Sequence, residues 1–218
     1  MSAFQNISPN DLSLSVLNLA MVHAANALGK MMQEEVLLSR VQFSPQKWDW
    51  KGESDDLYVM RTDIKGDFAG ETYLVVVPED EPPMSDVLLP GSLQARPEMR
   101  EAILLEVDNI LIAALVTRLS EVLRSQIIGD VPEAQGYTRE SLNTFFTEKV
   151  NDSRYEFSFS SEFVTLGTGI RMNLVGFFED SFMKRVAHAT DPEYHKKDTE
   201  TSYISKSSKG LFKKILPW

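Results

Sequence analysis

The chain has 218 residues, 43% hydrophobic and 25% charged, enough to bury a sizeable core as one domain or two small ones. It contains no cysteine, which excludes disulfides and thiolate metal sites, and its net charge of -10 argues against a nucleic-acid backbone as the main partner. The N-terminal run MSAFQNISPNDLSLS has no basic stretch followed by an apolar one, and no segment reads as the roughly 20 apolar residues that span a bilayer, so a cytoplasmic protein without a membrane partner is expected.

Residues 9–38 have helical periodicity, with Asn10 or Asp11 available as N-cap. Residues 57–78 (LYVMRTDIKGDFAGETYLVVVP) are two β-rich runs about a glycine-containing turn, a hairpin. The segment 79–96, with Pro82, Pro83 and Pro90, reads as a joining loop. A second helix is expected over 97–128, starting at Pro97 with acids at Glu98 and Glu101 near the positive end of its dipole. A shorter helix follows at 138–150, and residues 155–178 form a second hairpin about Gly167-Thr168-Gly169.

Helix–hairpin followed by helix–hairpin is an internal duplication, with halves at approximately 9–80 and 97–180. Tyr58 matches Tyr155, and Glu79-Asp80 matches Glu179-Asp180. In the second long helix Ala102, Glu106, Asn109, Ala113, Thr117 and Ser120 share one face; shifted by 91, the first helix shows Asp11, Ser15, Asn18, Val22, Asn26 and Gly29. Leu104, Leu105, Leu111, Leu115, Val122 and Leu123 are left to face the core. The expected fold is one α+β domain spanning 1–195, with pseudo-symmetric halves, an antiparallel sheet and two long helices packed on one face.

The run LLEVDNILIAALVTRL with Pro132 beyond it resembles the E-x2-N-x22-P signature of the CheC, CheX and FliY chemotaxis phosphatases, and the duplicated plan over residues 9–190 agrees. The resemblance implies hydrolysis of the aspartyl phosphate of a CheY-like receiver domain. Asn109 would orient the attacking water and Glu106 would dock against the receiver's lysine. An acyl phosphate is already activated, so holding a water in line suffices and no enzyme nucleophile is needed. The Mg²⁺ would be carried by the receiver, leaving this chain without a cofactor of its own. A CheD-like protein or a second copy of the chain are further partners that the resemblance leaves open.

The chain departs from the family pattern at four places. Ala102 stands where an Asp or Ser is usual, and Asp108 stands where a Gly is common and adds a negative charge close to the site. In the first helix Ser15 replaces the Glu, and Val41 falls where the proline would be. One competent site on the second helix is therefore expected, with Asn18 and Asp11 as a degenerate second site. A non-enzymatic receiver-binding or flagellar-switch adaptor of the same fold is the alternative.

His23, His188 and His195 have no ligand spacing, Met21, Met31 and Met32 are expected in the core, and Trp48 and Trp50 are expected to pack over the sheet. Residues 196–218 hold six lysines against Asp198 and Glu200, which leaves -14 for residues 1–195. This basic amphipathic tail, ending SSKGLFKKILPW, reads as a docking element appended to an acidic body.

Overall fold

The computed structural model describes residues 8–190 apart from 40, 44, 46, 47 and 93–95. The basic tail and His195 lie outside the described residues. The order is α1 (Pro9–Met32), β1 (Val36–Leu38), β2 (Gln42–Phe43), β3 (Asp56–Gly66), β4 (Gly70–Val76), α2 (Glu81–Leu88), α3 (Pro97–Leu123), β5 (Ile127–Gly129), β6 (Glu133–Thr138), α4 (Arg139–Asn151), β7 (Tyr155–Thr165), β8 (Arg171–Glu179) and α5 (Asp180–Thr190).

The duplication is written into these boundaries. An offset of 91 carries the last residue of α1, Met32, onto that of α3, Leu123, and carries β1 onto β5 residue for residue. It also joins the two C-caps, Gln33 (φ 56°) and Arg124 (φ 48°), both in the left-handed conformation that closes a helix. The cap N–H groups bond to the carbonyls of Gly29 and Ser120, which the same offset relates. Beyond β6 the offset grows, because the second half inserts α4 where the first half has only the tryptophan-bearing segment 48–55.

The eight strands form one antiparallel sheet whose main path is β1-β7-β8-β4-β3-β5, with β2 on β7 and β6 on β3. Each hairpin is thus completed by short strands from the opposite half, and the hairpins meet at the β4–β8 pair, Thr72 opposite Gly176. Alternation along β3 turns Met60, Thr62 and Ile64 to the helix layer, while Leu57 and Val59 face the other side.

On the helix side α1 and α3 pack against the sheet, with Leu17, Ala20, Met21, Ala24 and Leu28 of α1 fully buried together with Val107, Leu111, Leu115 and Leu119 of α3. Each such Leu or Val contributes about 1.5–3 kcal/mol. By length and composition α1 could cross a membrane, contrary to the expectation that no segment could; its apolar residues are accounted for by this core. Met21 and Met32 are buried as expected, and Met31 is half-buried.

Several expectations need correction. The segment 79–96 is not all loop: Asp80 leads into α2, with Pro82 and Pro83 in its first turn, where a missing N–H breaks no helical bond. The matching Asp180 begins α5, which was not anticipated, and Phe182 and Val186 of α5 join the same core. The N-cap of α1 is Ser8, whose hydroxyl accepts from the Asp11 N–H at 3.1 Å, and neither Asn10 nor Asp11 fills that role. On α3, Leu105 and Val122 are only half-buried, whereas Val107, Ile112, Val116 and Leu119 are inside.

The sheet's other face is also covered. Trp48 and Trp50 from the first half and Leu142 and Phe146 from α4 enclose Tyr73, Val75, Val175 and Phe177, with the Trp48 and Phe146 rings 5.2 Å apart. At its margin burial would raise the Glu71 carboxyl. Hydrogen bonds from Lys149, Tyr155 and Tyr73 outweigh that and hold it at about 2.

Candidate functional site

Helical periodicity decides which side chains of α3 meet solvent. Leu104, Asp108, Leu111 and Leu115 recur at the spacing that faces the sheet and are all buried. Ala102, Glu106, Asn109, Ala113 and Thr117 lie on the opposite side and are exposed, with Ser120 half-buried at the end of the stripe. Glu106 and Asn109, three positions apart, are neighbours on this face, with Cβ atoms roughly 5–6 Å apart. Among the described residues neither side chain has a hydrogen-bonding or ionic partner, so both are available to an incoming molecule.

Along the stripe the residues on either side of the pair are small. Ala102, Ala113 and Thr117 leave the helix surface low, so a second folded domain could approach its backbone closely. Pro132 is buried, and the chain before it presses against α3: a Cβ on Gly129 would come within 3.0 Å of Ile112 Cγ2. This packing leaves Ile128 and Val131 projecting, 63% and 82% exposed. A cavity of about 570 Å³ lies beside the first turns of α3, lined by Tyr58, Met60, Glu81, Arg100, Glu101 and Leu104; the pair is outside it. An open helix face suits a macromolecular partner better than a small ligand.

Asp108 differs from expectation. It does not add charge beside the pair but points to the sheet and is fully buried. Thr62 Oγ1 on β3 donates to its Oδ2 at 2.5 Å, and Oδ1 has no partner. Burial pushes the carboxyl up to about 7 despite the bond from Thr62. The 104, 108, 111, 115 spacing already placed this position inward, so the signal was present in the sequence.

The first helix presents the matching stripe, with Asp11 and Ser15 engaged in its own first turns. The Asp11 carboxylate accepts from the Ser8 hydroxyl at 2.8 Å, and Ser15 Oγ donates to the Asp11 carbonyl at 2.8 Å. Asn18 is half-buried. The structure therefore brings Glu106 and Asn109 together at the surface, while Asp11 belongs to the capping of α1. His23 and His188 are exposed on separate helices, and among the described residues no three His, Asp or Glu side chains cluster as a metal site would require.

No protein-family model matches the sequence, and no curated protein matches it. Solved structures do. FliY of Thermotoga maritima superposes with a TM-score of 0.64 over 89% of this chain and 99% of that one, at 18% identity. A chain of the CheX-CheY-BeF3-Mg²⁺ complex of Borrelia burgdorferi gives 0.53 over 77% and 99%, at 14% identity. A chain of the FliG-FliM complex of H. pylori gives 0.55 over 82% and 100%, at 15% identity. The chain has the fold of the CheC, CheX and FliY proteins.

Proposed function

We propose that this chain, built on the CheC/CheX/FliY fold, is a cytoplasmic phosphatase that hydrolyses the aspartyl phosphate of a CheY-like receiver and so ends a chemotaxis or two-component signal. The observation that carries the reading is the exposed, unpartnered Glu106–Asn109 pair on a low helical face. The Borrelia burgdorferi complex, in which a chain of this fold accompanies CheY, supports it.

In this mechanism α3 lies across the receiver's phosphorylation site. Asn109 enters it and holds a water in line with phosphorus, its amide donating and accepting without changing protonation state. Glu106 forms a charge-assisted bond to a receiver cation and sets the register. The chain contributes positioning, which is most of what this reaction requires. Mg²⁺ enters as part of the substrate domain, not of this protein.

The FliG-FliM likeness favours a second reading, an adaptor that binds without hydrolysis. One assay separates them: purified chain is added to a phosphorylated receiver and the loss of phosphate followed. The phosphatase reading expects wild type to accelerate decay and Asn109→Ala to lose on the order of 10²-fold or more of that acceleration. Glu106→Ala should raise KM, and Asn18→Ala should change the rate by less than about twofold, as expected of a degenerate position far weaker than Asn109. Binding with unchanged decay would establish the adaptor.

A further inference from the structure

The underside of the site helix carries a carboxyl group that its packing does not require. Asp108 is fully buried with one oxygen unpartnered, an arrangement less stable than an aliphatic side chain in the same space. The internal repeat supplies the comparison. At the offset of 91 the equivalent residue of α1 is Leu17, also fully buried, so this fold accepts leucine there. The acid is kept only beneath the helix that holds a complete Glu–Asn pair, within one turn of both members.

Its partner is firmly placed. Thr62 lies between Met60 and Ile64 on the helix side of β3, and Thr72 Oγ1 on β4 donates to the Thr62 carbonyl at 3.2 Å. The Thr62–Asp108 bond therefore ties α3 to β3, beside the central β4–β8 pair of the sheet.

We propose that Asp108 is a positioning residue for this site, fixing the rotation of α3 on β3 through Thr62, and that ionisation of its buried carboxyl releases that hold. The catalytic part of the inference rests on the phosphatase reading; the structural part does not. A neutral carboxyl keeps the Thr62 bond in the layer formed by Met60, Ile64, Leu111 and Ile112 and leaves only its own O–H to be satisfied, a far smaller cost than a charge. An ionised one is an uncompensated charge in that layer and must be hydrated, which requires α3 to move off β3. Burial and the Thr62 bond alone set its titration, with no contribution from a charged group on α1, α2, α5, β3, β5 or β6 among the described residues. Arg61 and Asp63 flank Thr62 but point to the sheet's opposite face and pair with each other at 2.6 Å, and Lys65 pairs with Asp130 in solvent. A displacement of about 1 Å at a positioned group can cost 10²-fold in rate.

The test uses the full chain with carbon-13-labelled aspartate. The Asp108 carboxyl is expected to titrate near 7 instead of near 3.8, and the α3 amides from 104 to 112 to lose exchange protection through the same midpoint, after correction for intrinsic exchange. Asp108→Asn should make that protection insensitive to pH, and Asp108→Leu, copying Leu17, serves if the amide variant folds poorly. With a phosphorylated receiver, wild-type kcat should fall about tenfold from pH 6 to 8 at nearly constant KM, against a flat profile in the variant. A carboxyl titrating near 3.8, or α3 protection that follows pH identically in wild type and both variants, overturns the proposal. If Asn109→Ala leaves receiver hydrolysis unchanged, the phosphatase reading fails, while titration and exchange still decide the role of Asp108.

Discussion

The two long helices are copies of one design whose sequences have largely diverged, with Leu14, Val16, Asn18 and Leu28 of α1 retained at the offset of 91, and α1 serves as a control for α3. They end at equivalent residues, close with the same left-handed cap and hand on to strands of the same length. They also turn matching stripes outward. On α1 Asp11 and Ser15, the first two members of the stripe, bond within the helix's first turns and to Ser8, and the buried position beneath is Leu17. On α3 Glu106 and Asn109 are unbonded among the described residues, and the position beneath is Asp108. The halves thus differ at the surface: α1 uses Asp11 and Ser15 within its own first turns, and under the proposed reading α3 leaves Glu106 and Asn109 for a receiver domain.

Exchanging the buried residues should give the largest effect. Leu17→Asp places a charge in the apolar core layer and should destabilise by roughly 3–5 kcal/mol at pH 8. Asp108→Leu should stabilise at that pH by about 1–3 kcal/mol. The sign with pH follows from the raised folded-state carboxyl. Its contribution is complete below about 3.8, declines by roughly 1.4 kcal/mol per unit as pH rises, and is gone above about 7. Chemical denaturation at pH 5 and 8 should therefore show this loss in wild type and not in Asp108→Leu; an equal loss in both would break the contrast between the helices.

A smaller effect is expected at the helix starts. Ser8→Ala removes the α1 cap and should lower stability by about 1 kcal/mol, read as a shift in unfolding midpoint. The N-cap of α3, Arg96, makes no side-chain cap bond, so Arg96→Ser should raise stability by a similar amount. Smallest of all, Gln33→Gly and Arg124→Gly relieve the left-handed cap residues and should each stabilise by about 0.5 kcal/mol. Equal shifts would sharpen the equivalence of the halves, and opposite signs would limit it.

Much of this was legible in the sequence because it is periodic. The stripe through Glu106 and Asn109, the offset of 91 and both hairpins follow from spacing alone, as does the matched Glu-Asp that closes each half. The helices α2 and α5 escaped because they are short and proline-rich or polar, so docking rather than propensity holds them. The crossed strands β1, β2, β5 and β6 escaped because two to six residues carry too little pattern to identify a partner in the other half.

The chain's own residue order decided which faces exist, where each helix stops and that Glu106 and Asn109 share a side, because these depend on local backbone geometry. Only the tertiary structure decided that this side faces solvent, that Asp108 meets Thr62 from 46 positions away, and that Trp48 and Trp50 seal the second face of the sheet with α4. Burial and long-range hydrogen bonding depend on what packs opposite, and no local pattern contains that information.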